Sequence, residues 1–175
     1  MNRMKSVRIA AALAIVVAVA AFVVAEDKLW FDMKNCAMCS TLASKPGLLE
    51  AMTWEHFPIA NGVMQVGHCP DEHKAAFGMA MGEMGKVKEK VAAGEKVNLD
   101  GYCTTFGELL MAGAKMESFQ AAHSSVTLIT STDPKMVEKL HAFAAKTNEE
   151  LAKMAAAAKA SSEAPAEGHE AHGHK

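Results

Sequence analysis

The chain has 175 residues, with 18 basic and 20 acidic side chains and a formal net charge of −2. Its only arginines, Arg3 and Arg8, lie in the first eight residues, so the rest of the chain lacks the guanidinium group that usually binds phosphate and carboxylate. This composition disfavours nucleic acid and nucleotides as partners, since both reward clustered basic side chains.

The first 25 residues have the pattern of a signal peptide. A short basic segment precedes sixteen uncharged residues, 9–24, and small side chains allow cleavage between Ala25 and Glu26. The apolar stretch is shorter than the roughly 20 residues that a membrane span needs. We therefore expect an exported protein, periplasmic or secreted, that meets a membrane only through its signal peptide and has a net charge of −5 after cleavage.

Helix and strand signals follow one another in the same order twice. Asn61-Gly62 suits a tight turn between two strands, Pro70 and Gly94 bound a helix, and Asp100 suits the cap of the next helix. The predicted elements are strands over 29–33, 54–58, 63–68, 118–122 and 126–130, and helices over 70–93, 100–110 and 134–154.

A shift of 64 residues places Cys39 on Cys103 and Met64 on Leu128, which indicates an internal repeat. We expect an α+β protein of two helix-strand-strand-helix units, ferredoxin-like or a similar open-sheet sandwich. The expected parts are a signal peptide over 1–25, a first unit over 26–94, a second unit over 95–155 and a disordered, histidine-containing tail over 156–175.

The four cysteines are the residues that best indicate a function. Exported thiols act as metal ligands, as a redox couple or as disulfides. If the strand at Leu29 pairs in parallel with the strand at Val63, both strands end at the same sheet edge. Cys36, Cys39 and Cys69 then gather at neighbouring helix starts.

A soft-metal site is the leading hypothesis. Cys36 and Cys39 have the two-residue spacer that lets both sulfurs reach one ion, and Cys69 and His73 lie four residues apart on one helical face. This set suits Zn(II) or Cu(I), held for sequestration or delivery. The auxiliary candidates are His68, Cys103, Met33, Met38 and Met79, with His169, His172 and His174 in the tail.

Enzyme activity is not indicated, because no catalytic motif or phosphate loop is present. A c-type haem is not expected, since Ser40 replaces the histidine that would follow the Cys-x-x-Cys. A thioredoxin-like oxidoreductase fits less well, because it would place a βαβ segment before its cysteines.

The alternative to metal binding is a disulfide-stabilised structural or partner-binding module. Four cysteines allow two bridges, of which Cys39 to Cys103 would join the two units and Cys36 to Cys69 would close the first. Its partner would be another exported protein. Either function is compatible with an oligomer formed through a sheet edge or an apolar helix face.

Residues 31–91 carry Cys36-Ala37-Met38-Cys39 after a predicted strand, followed by a helix, a hairpin and a second helix. This order resembles the heavy-metal-associated, ferredoxin-like domains of copper chaperones and transporter tails. The resemblance implies metal ligation by Cys36 and Cys39.

Overall fold

A computed structural model describes residues 28–121 and 124–163 of the protein, and these residues form a mixed α+β fold, as predicted. The elements in chain order are α1 (Cys39–Ala43), α2 (Leu48–Ala51), β1 (Thr53–Ile59), β2 (Gly62–His68), a 3₁₀ turn (Asp71–His73), α3 (Lys74–Ala92), α4 (Gly101–Met111), β3 (Lys115–Gln120), β4 (Ser124–Thr130) and α5 (Pro134–Glu163).

The strands form one four-stranded sheet in the order β1-β2-β4-β3, with every neighbouring pair antiparallel. The order helix, strand, strand, helix occurs twice among the described residues. Thr53 pairs with His68 in the first hairpin and Lys115 with Thr130 in the second, so equivalent hairpin positions lie 62 residues apart. This spacing differs by two residues from the shift of 64 that aligns Cys39 with Cys103.

The predicted strand over 29–33 is wrong, and so is its parallel pairing with β2. The backbone carbonyls of Leu29 and Trp30 instead accept hydrogen bonds from the N–H groups of Gly101 and Tyr102, at 3.0 and 2.9 Å. The first N–H groups of a helix have no partner within the helix. The segment therefore satisfies the start of α4 rather than an edge of the sheet.

Side chains alternate between the two faces of the sheet, and one face carries the core. Val63 on β2 and Ile129 on β4 are fully buried against Leu140 and Phe143 of α5. A second cluster of Leu48, Met52 and Ala80 includes Trp54, which lies on the same face of the sheet. We call this side the packed face.

Gly62 is required where β2 begins. Its φ is +155°, and a Cβ there would lie 2.0 Å from the carbonyl oxygen of Ile129 on β4. Only glycine avoids that collision, so the two hairpins can pair closely at this end of the sheet.

The helix limits agree with the sequence pattern except at the last one. α3 follows Pro70 and ends shortly before Gly94, whose φ is +79°. At the start of α5 a side-chain oxygen of Asp133 accepts a hydrogen bond from the backbone N–H of Lys135 at 3.0 Å. α5 continues to Glu163, beyond the end of the helix predicted at residue 154. The signal peptide and the tail histidines lie outside the described residues.

Candidate metal centre

Two separate parts of the chain bring four ligand-type side chains together. Cys36 and Cys39 come from the start of α1, and Asp100 and Cys103 come from the first turn of α4. One ligand atom from each of the four lies within 4.8 Å of all the others. The structure therefore contains a cluster that could hold a metal ion.

Backbone hydrogen bonds fix the two parts of the chain against each other. The backbone N–H of Asp32 donates to Asp100 Oδ2 at 3.1 Å, and the N–H of Ala37 donates to the carbonyl of Asn98 at 2.8 Å. Together with the bonds that Leu29 and Trp30 make to α4, they hold the Cys-x-x-Cys beside the start of that helix. The site is thus built by a loop that docks on a helix end.

Asp100 connects the cap of α4 to the cysteines. Its Oδ1 accepts a hydrogen bond from the backbone N–H of Cys103 at 2.8 Å, and its Oδ2 lies 3.0 Å from Cys39 Sγ, which donates to it. Only 3 % of the Asp100 surface is exposed. A buried carboxylate needs partners of this kind, because removing it from water is costly.

The three sulfurs are close but not bonded. Cys103 Sγ lies 3.6 Å from Cys36 Sγ and 3.7 Å from Cys39 Sγ, and all four cysteines of the chain are free. A disulfide would require about 2.05 Å. Cys36 and Cys39 are buried, whereas Cys103 is half-buried and marks the side of the cluster nearest solvent.

The cysteines differ in acidity because they interact with one another. Hydrogen bonding with the Cys103 thiol, and then with Cys39, holds the pKa of Cys36 far below its usual range. The backbone N–H of Cys39 also donates to Cys36 Sγ at 3.4 Å. Hydrogen bonding with Cys103 raises the pKa of Cys39, and hydrogen bonding with Cys36 raises the pKa of Cys103. In this arrangement Cys36 is the thiolate and the other two are thiols.

These separations match those expected around a tetrahedral ion. With Zn–S bonds of about 2.3 Å, two sulfurs of a tetrahedral site lie about 3.8 Å apart. The separations of 3.6 and 3.7 Å from Cys103 are close to that value. One ion between the sulfurs would need little movement of the backbone, because the ligand atoms already surround a common point.

Cys69 and His73 lie outside this cluster. Cys69 packs with Met52 and Phe77 beside α3, where burial raises the pKa of its thiol. His73 ends the 3₁₀ turn before α3. Among the auxiliary candidates, only Cys103 is in the cluster. His68 is exposed at the end of β2, Met33 and Met38 are half-buried, and Met79 is exposed on α3.

Sequence reasoning identified Asp100 as a helix cap and did not identify it as a ligand. The available signal was the spacing of Asp100 and Cys103, because a cap residue and the residue three positions later meet at the first turn of a helix. A carboxylate and a thiol at those two positions are necessarily neighbours.

No protein-family model matches the chain, and no curated protein or solved structure shows significant similarity to it. Among the described residues, no helix combines the length and the apolar composition that crossing a membrane requires.

Proposed function

We propose that the protein binds one zinc ion through Cys36, Cys39, Cys103 and Asp100, and that it sequesters or delivers the ion. The observation that carries this proposal is the convergence of three sulfurs and one carboxylate oxygen within 4.8 Å. Four ligands from two parts of the chain are what a closed zinc site uses.

The ligand types favour zinc over copper. Cu(I) is best held by soft thiolate or thioether sulfur, whereas zinc also accepts carboxylate oxygen. Asp100 supplies such an oxygen, and its position is fixed by its hydrogen bonds to Asp32 and Cys103. Zinc binding would displace the protons of Cys39 and Cys103, so its affinity should increase with pH.

We also propose that the protein acts after export. The basic, uncharged and small-residue segments of residues 1–25 support this proposal. N-terminal sequencing of the protein recovered outside the cytoplasm should begin at Glu26. A protein recovered only from the cytoplasm and beginning at Met1 would contradict export.

Native mass spectrometry of the chain from residue 26, isolated without reductant or chelator, tests the metal site. We expect one zinc per chain in the unaltered protein and in Cys69→Ser, the matched control whose sulfur lies outside the cluster. We expect no zinc in Cys103→Ser or in the double variant Cys36→Ser, Cys39→Ser, because three thiolates provide most of the binding.

Asp100→Asn separates ligation from capping. Asn caps a helix about as well as Asp, so the fold should be retained, while zinc affinity should fall by about 10- to 100-fold. A metal-free protein that has lost two hydrogens per cysteine pair would instead support the disulfide-stabilised module. Equal zinc content in Cys69→Ser and Cys103→Ser would also contradict the proposed ligands.

A further inference from the structure

The sheet has a second face that no described helix covers. We call it the open face, and its side chains point away from Val63 and Ile129. Its residues are Thr53, Glu55, Phe57 and Ile59 on β1, Met64, Val66 and His68 on β2, Ser124, Val126, Leu128 and Thr130 on β4, and Lys115, Glu117 and Phe119 on β3.

The middle of the open face is apolar. Phe57 and Phe119 are 41 % and 53 % exposed, and the central strands contribute four half-buried aliphatic or thioether side chains. Neither hydrophobic cluster of the described residues includes any of these side chains. The solvent face of an antiparallel sheet is normally polar, so a contiguous apolar patch here indicates a surface that is covered by a partner.

The open face has an approximate two-fold pattern of its own. β1 presents Glu55 and Phe57, and β3 presents Glu117 and Phe119 on the opposite side of the central pair. Because the central strands are antiparallel, the two Glu-x-Phe segments lie at opposite corners of the sheet. The pattern therefore looks the same after half a turn about the sheet normal.

We propose that the open face is the interface of a homodimer in which two copies pack sheet against sheet. A two-fold dimer buries the same patch on both copies, and a flat patch that repeats its own pattern suits that requirement. The charged residues on the face are Glu55, Glu117 and Lys115, so it has no strong field of one sign to favour an oppositely charged partner.

The size of the open face is sufficient for such a contact. Four strands about 4.8 Å apart, each rising about 3.4 Å per residue over six or seven residues, cover about 400 Å² of flat area. With the relief of the side chains, two copies would bury about 1,000 Å² in total, which is near the lower limit of specific interfaces. This proposal goes beyond metal binding and is independent of it.

An edge-to-edge dimer is the competing arrangement. The outer edge of β1 is covered, because Asn148 bonds to both backbone groups of His56 and Pro58 has no N–H. The outer edge of β3 is open. The bond from Ala121 N–H to the carbonyl of Ser124 sets the register, so Ser118 directs its backbone groups outward.

Sedimentation equilibrium of the chain from residue 26, over a range of concentrations, tests the proposal. We expect a dimer whose dissociation constant increases by about 100-fold or more in Val126→Lys and in Phe119→Lys, because each buries an unpaired charge. Gln120→Lys is the matched control, since it adds the same charge to the neighbouring position on the other face.

Ser118→Pro removes the outward N–H of β3 and should leave the dimer unchanged. Circular dichroism verifies that each variant is folded, and the exposed Phe119 tolerates substitution even if Val126→Lys does not fold. A monomeric unaltered protein would overturn the proposal, as would a dimer that survives Phe119→Lys. Dissociation by Ser118→Pro together with an unaffected Phe119→Lys would assign the dimer to the β3 edge instead.

Discussion

At the scale of single residues, the site depends on the hydrogen bonds that each side chain makes as much as on its type. Asp100 caps α4 through one oxygen and contacts Cys39 through the other. Cys36 is acidic because Cys103 and Cys39 surround it. A cysteine of the same type at position 69 has an apolar environment and a raised pKa. Residue type alone therefore does not identify a ligand.

His56 gives the protein a pH-dependent stability that is separate from the metal site. It is 97 % buried beside Tyr102 and Phe143, and burial lowers the pKa of its imidazole to about 4. The unfolded chain, with a pKa of about 6.5, binds more protons between pH 4 and 6.5. The free energy of unfolding should therefore decrease as the pH falls through this range, by about 3 kcal/mol.

Urea denaturation of the chelator-treated protein at pH 7 and pH 4 measures this decrease. His56→Phe keeps an aromatic ring in the same cluster but cannot be protonated, so it should lose about 3 kcal/mol less than the unaltered protein over that interval. His68→Gln, a change at an exposed histidine, should keep the original pH dependence. An equal decrease in His56→Phe and in the unaltered protein would contradict the assignment.

At the scale of elements, α5 is the helix that organises the sheet. It packs on Val63 and Ile129 through Leu140 and Phe143, as its apolar stripe predicts. It also covers the outer edge of β1, where His141 Nε2 lies 3.0 Å from the carbonyl oxygen of Ile59. One long helix thus supports the packed face and protects one of the two sheet edges.

Asn148→Ala should weaken the attachment of α5 to β1. The Asn148 amide accepts from the backbone N–H of His56 at 3.1 Å and donates to its carbonyl at 2.7 Å. Its loss leaves two partly buried backbone groups without partners, so we expect the free energy of unfolding to fall by about 2 to 4 kcal/mol. Urea denaturation of this variant and of Glu149→Ala, an exposed neighbour, provides the measurement. A similar stability of both variants would contradict this role of Asn148.

The sequence predicted most elements but only part of the site. Alternation and turn residues located four strands and three long helices, because these signals are local. The strand over 29–33 failed because its backbone partners lie some 70 residues away, at Gly101 and Tyr102. Cys69 was grouped with Cys36 by that same strand, so the wrong pairing also selected the wrong neighbour in place of Cys103.

At the scale of the whole molecule, the metal centre joins the segment before α1 to the start of α4. The aromatic contact between Trp30 and Tyr102 and the backbone bonds around Asp100 hold the same two parts together. A bound ion would add a link between residues that are more than 60 positions apart in the chain. Metal binding should therefore stabilise the fold.

Zinc should raise the melting temperature of the protein. At a free concentration about 1,000-fold above its dissociation constant, a ligand of the folded state contributes about 4 kcal/mol, which is about 10 °C for a chain of this size. Differential scanning calorimetry with zinc and with chelator measures the shift. Cys69→Ser should show the same shift and Cys103→Ser should show none, and a full shift in Cys103→Ser would contradict the link.

The sequence by itself determined the α+β class, the positions of the hairpins and long helices, and the presence of a Cys-x-x-Cys, because each depends on residues that are neighbours in the chain. Only the tertiary structure decided which thiol and which carboxylate join that pair. Cys103 and Asp100 reach Cys36 and Cys39 because the segment before α1 docks on α4, a contact specified by backbone hydrogen bonds and aromatic packing over long separations. The open face has the same origin, since the sheet order β1-β2-β4-β3 gathers apolar residues of both hairpins on one side.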